Sequence, residues 1–283
     1  MQKVTFVNKL NESITFSINK PFLLASLDGF SNVDTEINST KGYKQDGSSY
    51  NSTFLESRQL VIGFSLAADS KEDLMLFRDR IFRVFNPKLG EGYLYYSYAG
   101  VERKIKCVPE SVPIINIISR RKDCSGEVIL IAHNPFFTDI DEKLIELTTW
   151  TGGLNFPLNL PFTLKKKGEN IKNIYNDGHV DTPIEIIFKG PAIDPRIENK
   201  TTGEFIQVNR QLTSEDTLYI TTEYGNKKVE IERNGVRENA FNYINLNSTF
   251  FNLGLGDNLI EYSTKSLESK GVSIKYYNKY LGI

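Results

Sequence analysis

Residue types able to do covalent or metal chemistry are sparse in this chain. Its 283 residues include two histidines, His133 and His179, and two cysteines, Cys107 and Cys124. A Ser-His-Asp site needs a nucleophile and an acid converging on the histidine. His133 stands just before Pro135 and His179 follows Gly178, and no Gly-x-Ser-x-Gly elbow accompanies either. Both histidines read as structural. The cysteines are too far apart for a CxxC motif, and two ligands do not make a structural zinc site. They read as reduced, mostly buried small hydrophobes. The acids Asp139, Asp141 and Glu142, and the pair Glu215 and Asp216, are the types a glycosidase uses. In turns, such acids are ordinary solvated surface. There is no GxxxxGK[ST] loop and no HExxH helix. Gly254-Leu255-Gly256 lies between strand-like runs and reads as a hairpin turn, and Lys165-Lys166-Lys167 as a solvated strand end. The expectation is no catalytic residue, no metal and no cofactor.

Residues suited to binding are easier to find. Lys41 to Asn51 is polar, and Asp46-Gly47 is a good hairpin tip. Two readings stand for it. It is an exposed loop, or it is a projecting arm whose Tyr43 and Tyr50 meet a neighbouring molecule, tyrosine being apolar in body and polar at its tip. Tyr93, Tyr95, Tyr96 and Tyr98 could stack bases or sugars, or form a half-buried edge or an interface. The formal net charge is −1, which argues against non-specific nucleic-acid binding, although a near-neutral protein can surround DNA without gripping it.

The elements that must carry these residues are mostly strands. Tyr and Phe are abundant, with many Ile, Thr and Val, which favours sheet over helix. Val4 and Phe6, then Ile14, Phe16 and Ile18, alternate as a hairpin with one buried face. Strands follow near Phe22 to Ala25, Val33 to Ile37, Arg58 to Ala67, Tyr93 to Tyr98, Val101 to Val108, Val112 to Ile118 and Ser125 to Ala132. A single helix begins at the N-cap Ser70, carries Leu74, Phe77, Ile81 and Phe85 on one face, and stops at Asn86-Pro87. Asn134-Pro135-Phe136-Phe137 reads as a packed joint between two bodies. The length favours two domains, with boundaries at 1–138 and 139–283.

Glu142 to Thr149 reads equally as helix or strand. Trp150 to Gly153 is turn material and Phe156 to Phe162 an extended edge. Short strands then recur: Ile184 to Phe188, Phe205 to Val208, Leu218 to Thr222, Lys228 to Ile231, Phe250 to Leu253, Asn258 to Tyr262 and Val272 to Tyr277. This is the pattern of an antiparallel β-sandwich. The N-terminus lacks the apolar core of a signal peptide and no run reaches transmembrane length, so a cytoplasmic start and no membrane partner are expected.

The order of these features resembles the distal tail protein family of long-tailed bacteriophages and prophages of Gram-positive hosts. In the first half the likeness rests on Gly42-Tyr43 through Asp46-Gly47 to Arg58, the helix ending in Asn86-Pro87, the Gly92 to Tyr98 hairpin and Asn134-Pro135-Phe136-Phe137. In the second it rests on Asn176-Asp177-Gly178, Thr182-Pro183, Gly190-Pro191, Pro195-Arg196-Ile197, Asn234-Gly235, Gly256-Asp257-Asn258 and the closing Tyr280-Leu281-Gly282-Ile283.

The resemblance implies a mainly β structural hub of the virion tail tip or baseplate, assembled in the host cytoplasm, and not an enzyme. The first domain is expected to be a β-sandwich or split barrel with one helix, building a homo-hexameric ring. A hairpin arm at Gly42, Tyr43, Asp46, Gly47 and Tyr50 would embrace the next subunit. The second is expected to be a galectin-like sandwich. Implied partners are the tail tube protein, a tail-associated lysin-like tip hub protein and receptor-binding proteins, with DNA passing through the ring. The alternative is a carbohydrate-binding sandwich docking to cell-wall glycan, with Trp150, Tyr175, Tyr224 or Tyr243 lining a groove. A glycosidase ranks last.

Overall fold

The computed structural model describes residues 1–117, 123–148, 150–151, 166–167, 170–266 and 271–283. The expected edge at Phe156 to Phe162, the turn residues Gly152 and Gly153, Ile118, Thr149 and Lys165 lie outside them. The chain divides into two compact units, Met1–Ile140 with Tyr280–Ile283, and Asp141–Lys279. The closing four residues, expected with the second domain, thus belong to unit 1.

In unit 1 the strands are β1 (Lys3–Val7), β2 (Ser13–Phe16), β3 (Phe22–Asp28), β4 (Thr35–Thr40), β5 (Ser49–Leu55) and β6 (Arg58–Ala67). After the helix α1 (Lys71–Val84) come β7 (Gly92–Tyr98), β8 (Val101–Pro109), β9 (Ile114–Ile117), β10 (Asp123–Ala132) and β11 (Phe137–Thr138). The sheet runs β2-β1-β7-β8-β10-β6-β3. Its two end strands meet at a parallel bridge between Ser17 and Leu23, where Leu24 N donates to Ser17 O at 2.7 Å, so the sheet nearly closes as a split barrel. β6 and β10 pair along ten residues, Arg58 to Ala67 against Ala132 to Asp123. Leu60, Ile62, Phe64 and Leu66 all face inward, as a period of two requires.

Ser70 caps α1, its Oγ accepting from Asp73 N at 3.0 Å. Leu74, Ile81, Val84 and Phe85 are buried by the helix, and Phe6 stacks on Phe85 at 4.7 Å between centroids. Ile18, expected on the buried face, is 72% exposed. The strand stops at Phe16, and Ser17 turns the chain towards β3, so the alternation no longer applies to Ile18.

Unit 2 has a six-stranded sheet, β12-β25-β16-β21-β22-β23, and a four-stranded sheet, β15-β24-β18-β19. In chain order these elements and two small ladders are β12 (Lys143–Leu147), β13 (Trp150–Thr151), β14 (Lys166–Lys167), β15 (Ile171–Asn176), β16 (Ile184–Lys189), β17 (Ala192–Ile193) and β18 (Arg196–Asn199). Then follow β19 (Glu204–Gln207), β20 (Gln211–Leu212), β21 (Asp216–Thr221), β22 (Lys228–Arg233), β23 (Val236–Asn239), β24 (Gly256–Ser263) and β25 (Val272–Tyr276), while the last strand, β26 (Lys279–Tyr280), pairs with β11 in the first sheet. Ile186, Phe188, Ile220 and Ile274 of the larger sheet pack with Ile174, Ile197, Ile206 and Tyr262 of the smaller in one core, with Phe188 and Tyr262 rings 5.6 Å apart. This is an antiparallel β-sandwich.

Within the undecided Glu142 to Thr149 stretch, Lys143–Leu147 is strand β12. Phe250 to Leu253 is not a strand: only Leu253 bridges, to Thr182. The turn that follows is instead held by buried Asn258, whose Nδ2 donates to the Gly254 and Gly256 carbonyls at 2.8 and 3.0 Å.

Gly29 shows how tightly unit 1 is closed. Its φ is +78°, and a Cβ there would lie 1.9 Å from the Gln59 carbonyl oxygen on β6. Gly29→Ala should therefore destabilise unit 1 by about 3 kcal/mol, from the unfavourable φ and the backbone shift together. The measurement is the urea midpoint of the transition reported by unit 1 amides.

Candidate assembly surface

The candidate catalytic groups do not form a centre. His133 and His179 are exposed. Among the described residues no three His, Cys, Asp or Glu side chains cluster as metal ligands would. Cys107 and Cys124 are buried and unbridged. Burial pushes the Cys107 thiol up to about 12, which disfavours the nucleophilic thiolate.

Three of the acids are tied into the fold, while Asp141 and Glu215 are exposed. Asp139 accepts from the Tyr280 hydroxyl at 2.8 Å, and Glu142 pairs with Lys275 at 3.0 Å. Asp216, expected at the surface, is 3% exposed. It begins β21 on the inward face and meets Arg233 through both oxygens, at 2.7 and 3.0 Å.

The outward-facing binding residues lie mainly on β4 and β5. These two strands form a sheet of their own. The Lys41–Ser48 loop joins them, and at their base Glu56 N donates to Asp34 O at 2.9 Å. The loop folds on itself: Gln45 Oε1 accepts from Gly42 N at 2.8 Å, and Lys44 Nζ sits 5.4 Å from the Tyr43 ring centroid. Gly47, at φ +78°, supplies the left-handed turn expected of Asp46-Gly47. Gly42, Tyr43, Asp46 and Gly47 thus occupy the loop and Tyr50 lies on β5.

Two apolar residues of this hairpin were not among the expected contact residues, Ile37 on β4, expected only as the end of a strand, and Phe54 on β5. Tyr43 is 93% exposed, Tyr50 68%, Ile37 63% and Phe54 58%. The register shifts between Asn38 and Ser39, so Ser39 pairs with Tyr50 where unbroken pairing would have placed Asn51. A one-residue shift moves a side chain to the other face. It sets Tyr50 on the face of Ile37 and leaves Phe54 on the other. The signal was available: Ile37 is the only apolar position of β4, and Phe54 stands in a β5 whose Ser49 and Asn51 to Thr53 are polar on both faces, so neither strand has an apolar face to enter a core.

The hairpin is rooted at a buried cation. Arg58, 1% exposed, opens β6 three residues after β5 ends. Its Nε donates to Pro135 O at 2.8 Å, and its Nη1 to the carbonyls of Gly29, Asn32 and Phe30 at 2.9, 3.0 and 3.3 Å. Its Nη2 donates to Leu281 O. Its Cζ is 5.1 Å from the Phe137 ring centroid, and burial lowers its pKa. Of the joint residues, Pro135 and Phe137 are buried in unit 1, Phe136 is half-buried and Asn134 is exposed, accepting from Phe136 N at 3.4 Å.

The other aromatics are dispersed. Tyr93 and Tyr95 share the outer face of β7, with centroids 6.3 Å apart, while Tyr96 is buried. Tyr175 is exposed on β15 of the smaller sheet, and Tyr224 is exposed between β21 and β22 of the larger. Arg210 covers Tyr243 at 4.3 Å. Trp150 pairs with Lys167 in a two-residue ladder through its backbone.

Family models match two stretches of the chain. Residues 10–120 match a phage tail protein RIFT-related domain, and residues 177–280 the C-terminal domain of a siphovirus-type tail component, SPP1 Dit. No curated protein matches the chain. Among solved structures, the chain resembles the crystal structure of SPP1 Dit (gp 19.1), described as a paradigm of hub adsorption apparatus in Gram-positive-infecting phages. That likeness has a TM-score of 0.72 at 12% identity over 99% of this chain and 100% of that one. A chain of the phage P2 baseplate, in its activated conformation with Ca, is similar at a TM-score of 0.51 and 11% identity, over 100% of this chain and 99% of that one. At such identities the likeness establishes the fold.

Proposed function

We propose that this Dit-like, siphovirus-type tail component, a protein of the phage virion tail, is a structural ring of the tail tip, built from copies of itself and devoid of catalysis. The observation that carries this reading is the β4–β5 hairpin. A lone two-stranded ribbon is marginally stable in water, and this one exposes Ile37, Tyr43, Tyr50 and Phe54. An exposed apolar group of this kind, rimmed by polar residues, is a contact surface.

A closed ring is a heterologous contact repeated about an axis, so every subunit needs two unlike patches. The arm is one and the body of the next subunit supplies the other. Six copies, the number the family likeness implies, would close the ring. One face would meet the tail tube and the other the tip hub protein, with receptor-binding proteins attached around it. The near-neutral chain suits a passage through which DNA slides. Asn134–Phe137 acts as the joint to the second domain.

Native mass spectrometry with negative-stain imaging tests this. The expected result is a single closed multimer with a central opening. A protein that stays monomeric at every concentration, or that hydrolyses a glycan, would overturn the reading.

A further inference from the structure

Arg58 sits where the arm leaves the body, and its cage draws on three separated parts of the chain. Gly29, Phe30 and Asn32 lead directly into β4, so they are the arm's entry root. Arg58 itself is the exit root. The entry root also lies tight against β6, as the 1.9 Å approach of a Gly29 Cβ to Gln59 O shows. The fifth carbonyl of the cage, Leu281, comes from residues that follow all of unit 2 in chain order.

Those last residues are bound to the same place by several further contacts. Ile283 N donates to Phe30 O at 3.2 Å, and Ser31 Oγ to Ile283 O at 3.4 Å. Arg103 donates to Gly282 O, and its guanidinium lies 3.6 Å from the Tyr280 ring centroid. The Tyr280 hydroxyl reaches Asp139. Gly282 packs so close that a Cβ there would be 3.2 Å from Phe30 O and from Ser31.

We propose that Arg58 is the positioning residue of the arm and that Tyr280–Ile283 is the strap that completes its cage, so that the arm is aimed at a second copy only after the chain beyond unit 2 has returned to unit 1. A buried guanidinium is stable only when its donors are satisfied. Without Leu281 one end of the fork loses its acceptor, and without the strap the 29–32 carbonyls lose their cover. The entry root then loosens while the β6–β10 ladder, which pairs independently, stays formed. Assembly is thereby withheld from a chain in which Tyr280–Ile283 is missing or not yet folded. The inference rests on the arm docking to a second copy of this chain.

The test uses the full chain, a deletion of Leu281–Ile283, and Arg58→Met. Hydrogen exchange followed by mass spectrometry reads the arm roots, residues 29–34 and 53–57, against β6 and β10 as the fold control. The expected result for the deletion is unchanged β6–β10 exchange, roughly tenfold faster exchange at the roots, and a closed-multimer fraction reduced by at least about tenfold at equal concentration. Arg58→Met should move the roots in the same direction, and if that variant does not fold the deletion alone decides. Root exchange that matches the full chain would overturn the proposal. So would loss of β6–β10 protection on deletion, which would make the strap a general folding element. A full chain that never multimerises would instead overturn the docking reading, with the exchange criterion still deciding whether the strap holds the arm.

Discussion

Ile37→Ser, Tyr50→Ser and Phe54→Ser combined should convert the closed multimer to monomer while leaving the thermal transition of the monomer nearly unchanged. All three side chains are more than half exposed in the isolated chain, so their loss removes little from the folded monomer. Fully burying an aromatic or aliphatic side chain contributes about 1.5–3 kcal/mol, so Ile37 and Tyr50 on one face of the ribbon and Phe54 on the other, in an arm the neighbour embraces, together amount to several kcal/mol. A ring repeats that loss at each interface, and each 1.4 kcal/mol is about a tenfold change in association. The effect on assembly is therefore orders of magnitude. Removing residues 36–54 and closing the gap with an Asn-Gly turn should do the same. Light scattering of the purified proteins, beside calorimetric scans, reads both quantities. Unchanged ring mass in either variant would show that the arm does not hold neighbours together.

The second large effect is on unit 2 and should appear as acid sensitivity. Asp216 accepts two bonds from Arg233, and two more from the Thr213 backbone and hydroxyl at 2.7 and 2.8 Å. The Arg233 guanidinium, ahead of the opposing cost of burial and with help from Thr213, lowers its pKa from 3.8 to about 2. A carboxylate with a depressed folded pKa contributes stability above its unfolded value, and that contribution fades as pH falls towards the folded one. The window here is from about pH 4 down to about pH 2, and the amount is about 2 kcal/mol.

Asp216→Ala should cost roughly 2–4 kcal/mol at pH 7. Loss of one partner of a buried pair is severe, moderated here because the Arg233 side chain is 52% exposed and can reach water. The variant should also have a flatter stability profile between pH 4 and pH 2. Urea denaturation followed at unit 2 amides across that range measures both. An Asp216→Ala profile as steep as that of the parent would place the acid response elsewhere.

Arg58 and Asp216 also show where reading a sequence stops. Each lies two residues before an inward strand position, Leu60 and Leu218, but a strand read as starting at Leu218 left Asp216 in the turn, and only the β21–β22 pairing carries the period of two back to it. The β-rich class, the capped helix, the Arg58 to Ala67 strand and the hairpin tip at Asp46-Gly47 are local, because alternation, capping and turn chemistry act over a few residues. The partners of the buried charges are not local. Arg58 takes carbonyls from residues 29–32, 135 and 281, and Asp216 takes Arg233 from the neighbouring strand, and sequence contains no term for such distances.

The same limit explains Ile37, Phe54 and Tyr50. Alternation says that strands exist, but pairing decides whether a strand enters a core, and the shift at Asn38–Ser39 decides which face Tyr50 shares. Residue types alone determined a β-built chain poor in catalytic groups. Only the tertiary structure separated the β4–β5 ribbon from the barrel and brought Tyr280–Ile283 back to its root, because both depend on contacts between residues far apart in the chain.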